Sequence, residues 1–229
     1  MEKWFEVKHL YKSFGKVEVL KDITLDIRKK EVLAIIGLNG AGKTTLVKTI
    51  NGLYTPSEGS ISSDTSLKEH VGMQFQMASY PMSYRVKDFV EFFWGIRKYN
   101  IKDPKNADTK KMFDFFELDT IMKRPASKIS GGQNTILGIY LALFFKPKLV
   151  FLDEFTTGID LHKKYDYIKY VKDFCQNNNI DIVMVSHDLD EIFMMSDRII
   201  VLQEGKIVKE IKTKNTTRDK LIKYIDEMK

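Results

Sequence analysis

Cysteine is all but missing from this chain of 229 residues: Cys175 is the one thiol, so no internal disulfide can form. It shares a helical spacing with Leu161, Tyr165, Ile168 and Val171, which reads as core filling rather than a reactive group. Long apolar runs are missing too. The longest, Ile136 to Phe145, has ten residues, and at about 1.5 Å rise per residue it covers roughly half the hydrocarbon thickness of a bilayer. It is expected as a buried helix. The first residues, Met-Glu-Lys-Trp-Phe-Glu-Val-Lys, carry charges where a signal peptide needs an apolar stretch, so the chain is expected on the cytoplasmic side. Nor is there a basic stripe. The 37 Lys and Arg are spread among 31 Asp and Glu, for a net charge of +6, and no nucleic-acid-reading motif accompanies them, so no nucleic acid is expected as a partner. Mild attraction to an anionic membrane surface fits this charge.

What the chain does have is a phosphate-loop pattern. Gly37-Leu38-Asn39-Gly40-Ala41-Gly42-Lys43-Thr44-Thr45 satisfies G-x-x-x-x-G-K-[ST] and follows Val32-Leu33-Ala34-Ile35-Ile36, an apolar run suited to a buried parallel strand. Backbone N–H groups converge on a phosphate only where the loop wraps closely, and Gly37, Gly40 and Gly42 supply that freedom. A helix starting near Gly42 points its positive end at the anion, and the Lys43 ammonium reaches toward the β- and γ-phosphates. The Thr44 hydroxyl suits Mg²⁺. Far downstream, Leu149-Val150-Phe151-Leu152-Asp153-Glu154 reads as a strand ending in carboxylates. Asp153 is expected as the second Mg²⁺ contact and Glu154 as the base or orienter of the attacking water. Ile129-Ser130-Gly131-Gly132-Gln133 stands about twenty residues before that strand and opens the helix containing Ile136, a second anion-friendly helix start.

Taken in this order, the motifs resemble those of the ATP-binding subunits of ABC transporters, through nearly the whole chain. The resemblance implies that Gly37 to Thr45, with Asn39, Ala41 and Thr45 among them, form the Walker A loop, Ile129 to Gln133 the signature and Leu149 to Asp153 Walker B. Glu154 matches the catalytic glutamate, Thr157-Gly158-Ile159-Asp160 the D-loop, and His187 the switch histidine that senses the γ-phosphate. On its residues alone His187 reads more readily as a strand-end cap than as a sensor. Gln76 matches the Q-loop glutamine, with a catalytic role and a contact to the metal; Gln74 lies two residues earlier on the same side of a strand, and the turn after Gln76 favours the later residue. Phe14 matches the aromatic that stacks on adenine, with Val19 beside it. Four departures stand out: Leu38, Ile129 at the head of the signature, Asn134-Thr135-Ile136 after it, and Phe155 where proline is common, which bears on the path to Asp160 and on the rate of hydrolysis.

The expected fold is α/β: a P-loop NTPase parallel-sheet core, with a small antiparallel β layer and an inserted helical subdomain. Residues 1–78 and 130–229 would form the ATPase core and 79–129 the insert. Residues 4 to 36 read as short strand-like pieces, 43 to 53 as a helix, and Val71 to Phe75, Leu149 to Leu152 and Ile180 to Val185 as parallel strands. Helices are expected at Val86, Phe89, Val90 and Phe93, and at Met112, Phe113, Phe116 and Leu118 after Pro104. Arg198 to Leu202 and Lys206 to Ile211 form a hairpin around Glu204-Gly205, and Thr216 with Asp219 suggests a capping box for a last helix. Phe89, Phe92, Phe93, Trp94 and Tyr99 crowd eleven positions, and read evenly as core of the insert or as a groove for a membrane partner's helix.

The resemblance implies two chains facing head to tail, each signature closing over the ATP held by the other, as a homodimer or with a related subunit. It also implies a membrane-spanning partner, with the chain peripheral on the inner face of the membrane. Met82 to Tyr99 and the Ser-His-Asp-Leu-Asp-Glu segment look closest to the drug and peptide export branch. A soluble ABC-type ATPase without a transport role is the main alternative, and a P-loop kinase a weaker one.

Overall fold

The computed structural model describes residues 2–67, 70–74, 81, 83–100, 102–103 and 106–227. Phe75, Gln76, Met82 and Pro104 lie outside them. The architecture is mixed α/β, with parallel strands and a separate antiparallel sheet, as expected. The chain forms two compact units, residues 1–69 with 181–229, and residues 70–180.

In the first unit, β1 (Lys3–Phe14) pairs antiparallel with β2 (Val17–Arg28) and β4 (Glu58–Ser63). The expected short pieces are two strands of 12 residues. Register shifts along the β1–β2 ladder let them continue: the alternation breaks at the shifts while the pairing carries on. Ile23, Leu25 and Ile27 share a buried face, as their period of two requires. The second sheet of this unit has β3 (Val32–Ile36) between β7 (Asp181–Val185) and β8 (Arg198–Gln203), all parallel, with β9 (Lys206–Lys212) antiparallel on β8. Leu33 to Ile36, Ile182 to Val185 and Ile199 to Leu202 are buried throughout, which is why they read as continuous apolar runs rather than alternating ones. The helices are α1 (Lys43–Ile50), α6 (Leu189–Met195) and α7 (Arg218–Asp226). The first ends at Ile50, short of the expected Leu53, because the Asn51-Gly52 pair turns the chain. The last is capped by Thr217, whose hydroxyl accepts from the Lys220 N–H, and not by Thr216, which closes the preceding short turn.

In the second unit, β5 (Val71–Gln74) and β6 (Leu149–Asp153) are a parallel pair accompanied by α2 (Val86–Arg97), α3 (Ala107–Phe115), α4 (Gly131–Leu143) and α5 (Leu161–Asn177). Gly72 of β5 lies so close to α4 that a Cβ there would meet the Ala142 carbonyl oxygen at 2.3 Å. Val86, Val90, Met112, Phe113, Phe116 and Leu118 are buried as their spacing requires, although Leu118 falls in a 3₁₀ turn beyond α3. Ile136 to Phe145 lies mainly in the helix α4, as expected. On α5, Ile168, Val171 and Cys175 are buried, but Leu161 and Tyr165 are 76% and 48% exposed. The buried stripe is completed by Tyr167 and Phe174 instead, because the first turn of α5 faces solvent.

Arg198 anchors the first unit. Its side chain is 3% exposed, and its guanidinium is bound by both carboxylate oxygens of Glu31, by Glu210 at 3.1 Å and by the Asp26 carbonyl at 2.7 Å. Burial opposes the charge, but hydrogen bonding and attraction from Glu31 and Glu210 prevail and hold its pKa above the usual arginine value. Replacing Arg198 by Ala leaves the largely covered Glu31 carboxylate and the Asp26 carbonyl without the guanidinium, and is expected to cost about 3–5 kcal/mol of unfolding free energy, read by urea denaturation. A cost below about 1 kcal/mol would mean that water replaces the guanidinium freely.

Candidate functional site

The loop from Ile36 to Lys43 joins the buried end of β3 to α1. Gly37 packs against the β8 end so closely that a Cβ would stand 2.1 Å from the Leu202 carbonyl oxygen. The loop turns through an Ala41 N–H to Leu38 carbonyl bond of 3.1 Å, and Ala41 in turn accepts from the Gly205 N–H at 3.1 Å, tying the loop to the β8–β9 turn. Gly42 enters the helix at φ 101°, a conformation costly for any residue with a side chain. The first bond of the helix runs from the Leu46 N–H to the Gly42 carbonyl, so the amides of the opening turn point out of its N-terminus. No acidic side chain occupies that turn. The Lys43 ammonium folds back over the loop, donating to the Gly37 carbonyl at 2.8 Å and the Leu38 carbonyl at 3.0 Å, and the residue is buried. Glycines, outward amides and a tethered ammonium together form a cradle for a compact, highly charged oxyanion.

His187 lies just past β7 and lines a cavity of about 270 Å³ with Gly37, Leu38 and Asn39 of the loop. Val19 also reaches the loop: its carbonyl oxygen and Cγ1 would lie 3.1 and 3.5 Å from a Cβ on Gly42. Phe14 is 44% exposed, with Tyr54 edge-on at 5.2 Å and the Lys12 ammonium 4.8 Å from its centroid. It presents a partly exposed aromatic ring with the Lys12 ammonium over it.

In the second unit, Ser130 is the N-cap of α4 and forms a reciprocal box with Gln133: the Gln133 N–H donates to the Ser130 hydroxyl at 3.2 Å and the Ser130 N–H to the Gln133 side chain at 3.0 Å. This Ser-x-x-Gln signal was readable from the chain alone. Gly131 and Gly132 follow in the first turn. Asp160 caps α5, accepting from the His162 N–H at 2.8 Å. Ser130, Gly132, Gln133, Gly158 and Asp160 line one cavity of about 300 Å³. Asp153 ends β6 buried at 2% exposure, and Glu154 follows at φ 50°, a strained backbone for a residue with a side chain. Phe155 is fully buried, so it seats the turn in the core; Thr157 N–H to the Glu154 carbonyl at 3.0 Å and Ile159 N–H to the Thr156 carbonyl at 3.1 Å close that turn. Gln76 lies outside the described residues.

The donor chemistry suits Mg²⁺. Among the described residues no three His, Cys, Asp or Glu side chains form a metal-binding cluster. A hydroxyl and one carboxylate are hard oxygen donors, and Mg²⁺ characteristically takes one or two of them and completes its shell with phosphate and water.

The aromatic segment divides. Trp94 and Tyr99 pack within the unit: the Trp94 N–H donates to the Tyr140 hydroxyl at 2.9 Å, and Tyr99 lies edge-on to Phe144 at 5.2 Å. Burial pushes the Tyr140 phenol well above its usual pKa, against the Trp94 hydrogen bond. Phe92 and Ile96 remain 63% and 59% exposed, and Phe93 bridges Phe92 to Phe145.

Residues 20–157 match the family model described as ABC transporter. The chain is 32% identical to the ribose import ATP-binding protein RbsA of Clostridium tetani, over 96% of this chain and 46% of that protein. It is 31% identical to the energy-coupling factor transporter ATP-binding protein EcfA of Pediococcus pentosaceus, over 96% of this chain and 82% of that one. It thus spans about half the length of the first relative and most of the second. A dimeric ATP-binding cassette in a post-hydrolysis state, bound to ADP and Pi, superposes with a TM-score of 0.77 at 22% identity, covering 91% of this chain and 98% of that one. With a family match over more than half its length and a relative of similar extent, the chain belongs to the ABC transporter family and has the fold of its ATP-binding cassettes.

Proposed function

We propose that this chain is an ATPase subunit that binds Mg²⁺ and ATP, dimerises around two ATP molecules and energises transport through a separate membrane-spanning partner. The observation that carries the reading is the loop of Gly37 to Thr45, in which a buried lysine ammonium is held over outward-facing amides. Lys43 would exchange its two carbonyl contacts for phosphate oxygens, and the amides of the opening turn of α1 would cradle the β-phosphate. Phe14 offers a face for adenine, with Val19 packed beside the loop. Bound Mg²⁺ would offset phosphate charge; Thr44, Asp153 and Gln76 are its candidate ligands. Glu154 would orient and deprotonate the attacking water. The presence of His187 on the same cavity as Gly37 to Asn39 supports its role as γ-phosphate sensor.

Ser130 to Gln133 and Asp160 would face the nucleotide of a second copy or of a related subunit. The dimeric cassette with ADP and Pi supports that pairing. Among the described residues no helix is long and apolar enough to cross a membrane, which fits a peripheral subunit on the inner face. Residues 79–129 would be the helical subdomain that meets the membrane partner, through exposed Phe92 and Ile96. Import is the direction that named relatives support: ribose, sulfate/thiosulfate and spermidine/putrescine import proteins are among them, and export draws no support from these names.

Lys43→Ala is expected to weaken ATP binding at least a hundredfold, roughly the loss of two charge-assisted hydrogen bonds, measured by equilibrium dialysis; retained affinity would contradict the cradle. Glu154→Gln should bind ATP normally and elute as a stable dimer with ATP and Mg²⁺ on a sizing column. A monomeric elution would overturn the sandwich.

A further inference from the structure

Gln74 is a polar residue at the last described position of β5, buried at 2% exposure. Its carboxamide oxygen accepts the main-chain N–H of Asp153 at 3.0 Å. Among the described residues the last β5–β6 pair is Gln74 opposite Leu152, and the Gln74 side chain reaches one residue further along β6 to take the Asp153 amide. Room for that side chain is made by α4: a Cβ at Gly138 would press on Gln74 Cγ at 3.1 Å. An apolar residue of similar volume would fill the same space and remove the Gln74 acceptor from the Asp153 amide.

We infer that Gln74 is a positioning residue: by holding the Asp153 amide it fixes the stretch of main chain from which the Asp153 carboxylate projects, and so sets Mg²⁺ affinity. Glu154 follows on the same pinned strand end, already in a left-handed conformation. This rests on the reading of Asp153 as a Mg²⁺ ligand. Partners that orient metal ligands characteristically change metal affinity about 10–100-fold when removed.

The test uses the full chain and a fluorescent ATP analogue, titrated in EDTA and again with Mg²⁺. Gln74→Met is expected to leave the EDTA affinity within about twofold and to raise the Mg²⁺ concentration for half-maximal enhancement of nucleotide binding about tenfold. Gln74→Asn, one methylene too short to reach, should behave alike and serves if the Met variant does not fold. Gln74→Glu keeps the acceptor. In the nucleotide-free protein, exchange of the Asp153 amide hydrogen should accelerate in the Met and Asn variants and stay slow in the Glu variant. An unchanged Mg²⁺ midpoint in the Met and Asn variants, or an Asp153 amide equally protected in them, overturns the positioning role. Asp153→Asn separates the two readings: loss of the Mg²⁺ enhancement upholds the metal assignment whatever Gln74 does, and its retention removes that assignment and the inference built on it.

Discussion

The close seat of the phosphate loop on the β8–β9 hairpin is the constraint from which the first unit's chemistry follows. At Gly37 the loop backbone lies against the Leu202 carbonyl, with no space for a Cβ. At Ala41 its carbonyl is taken by the Gly205 N–H, and the Gly205 carbonyl accepts from the Lys21 N–H of β2 at 2.8 Å. The loop is thus clamped from the hairpin, and through the hairpin from the antiparallel sheet. Clamping matters because amides can serve as a preorganised anion site only if they need not reorganise when the anion arrives. Lys43, pulled back over the same loop, keeps positive charge stored beside those amides.

Much of the fold was legible where burial leaves a plain pattern. The apolar runs of β3, β6 and β7 are continuous because both faces are covered, and they read correctly as parallel strands; β8, read only as an arm of the terminal hairpin, also pairs parallel with β3. The long β1 and β2 were broken into pieces because register shifts interrupt their alternation. On α5 the periodicity was extended one turn too far, to Leu161 and Tyr165, since spacing alone does not say where a helix leaves the core. At α7 Thr216 carries the capping-box spacing to Asp219, but the cap is Thr217, three residues before Lys220, a position that the box pattern does not mark.

Of the candidate site, the glycine and lysine pattern of the loop was readable because its chemistry tolerates few residue types. The positive φ of Glu154 left no mark, since nothing in a Glu codes for a left-handed backbone. Gln74 was visible but discounted in favour of Gln76: its value lies in a hydrogen bond to a residue 79 positions away, and a contact of that range leaves no local pattern.

The approach of Gly132 to Gly158 carries a mechanical consequence. A Cβ on Gly132 would lie 2.2 Å from the Gly158 carbonyl oxygen, and the Thr135 hydroxyl donates to the Thr157 carbonyl at 2.9 Å. Backbone pressed on backbone has no side chain to flex between, so the opening of α4 and the turn before α5 behave as a single rigid plate. A pull on Asp160 is therefore delivered to Ser130 without slack, and neither can move alone.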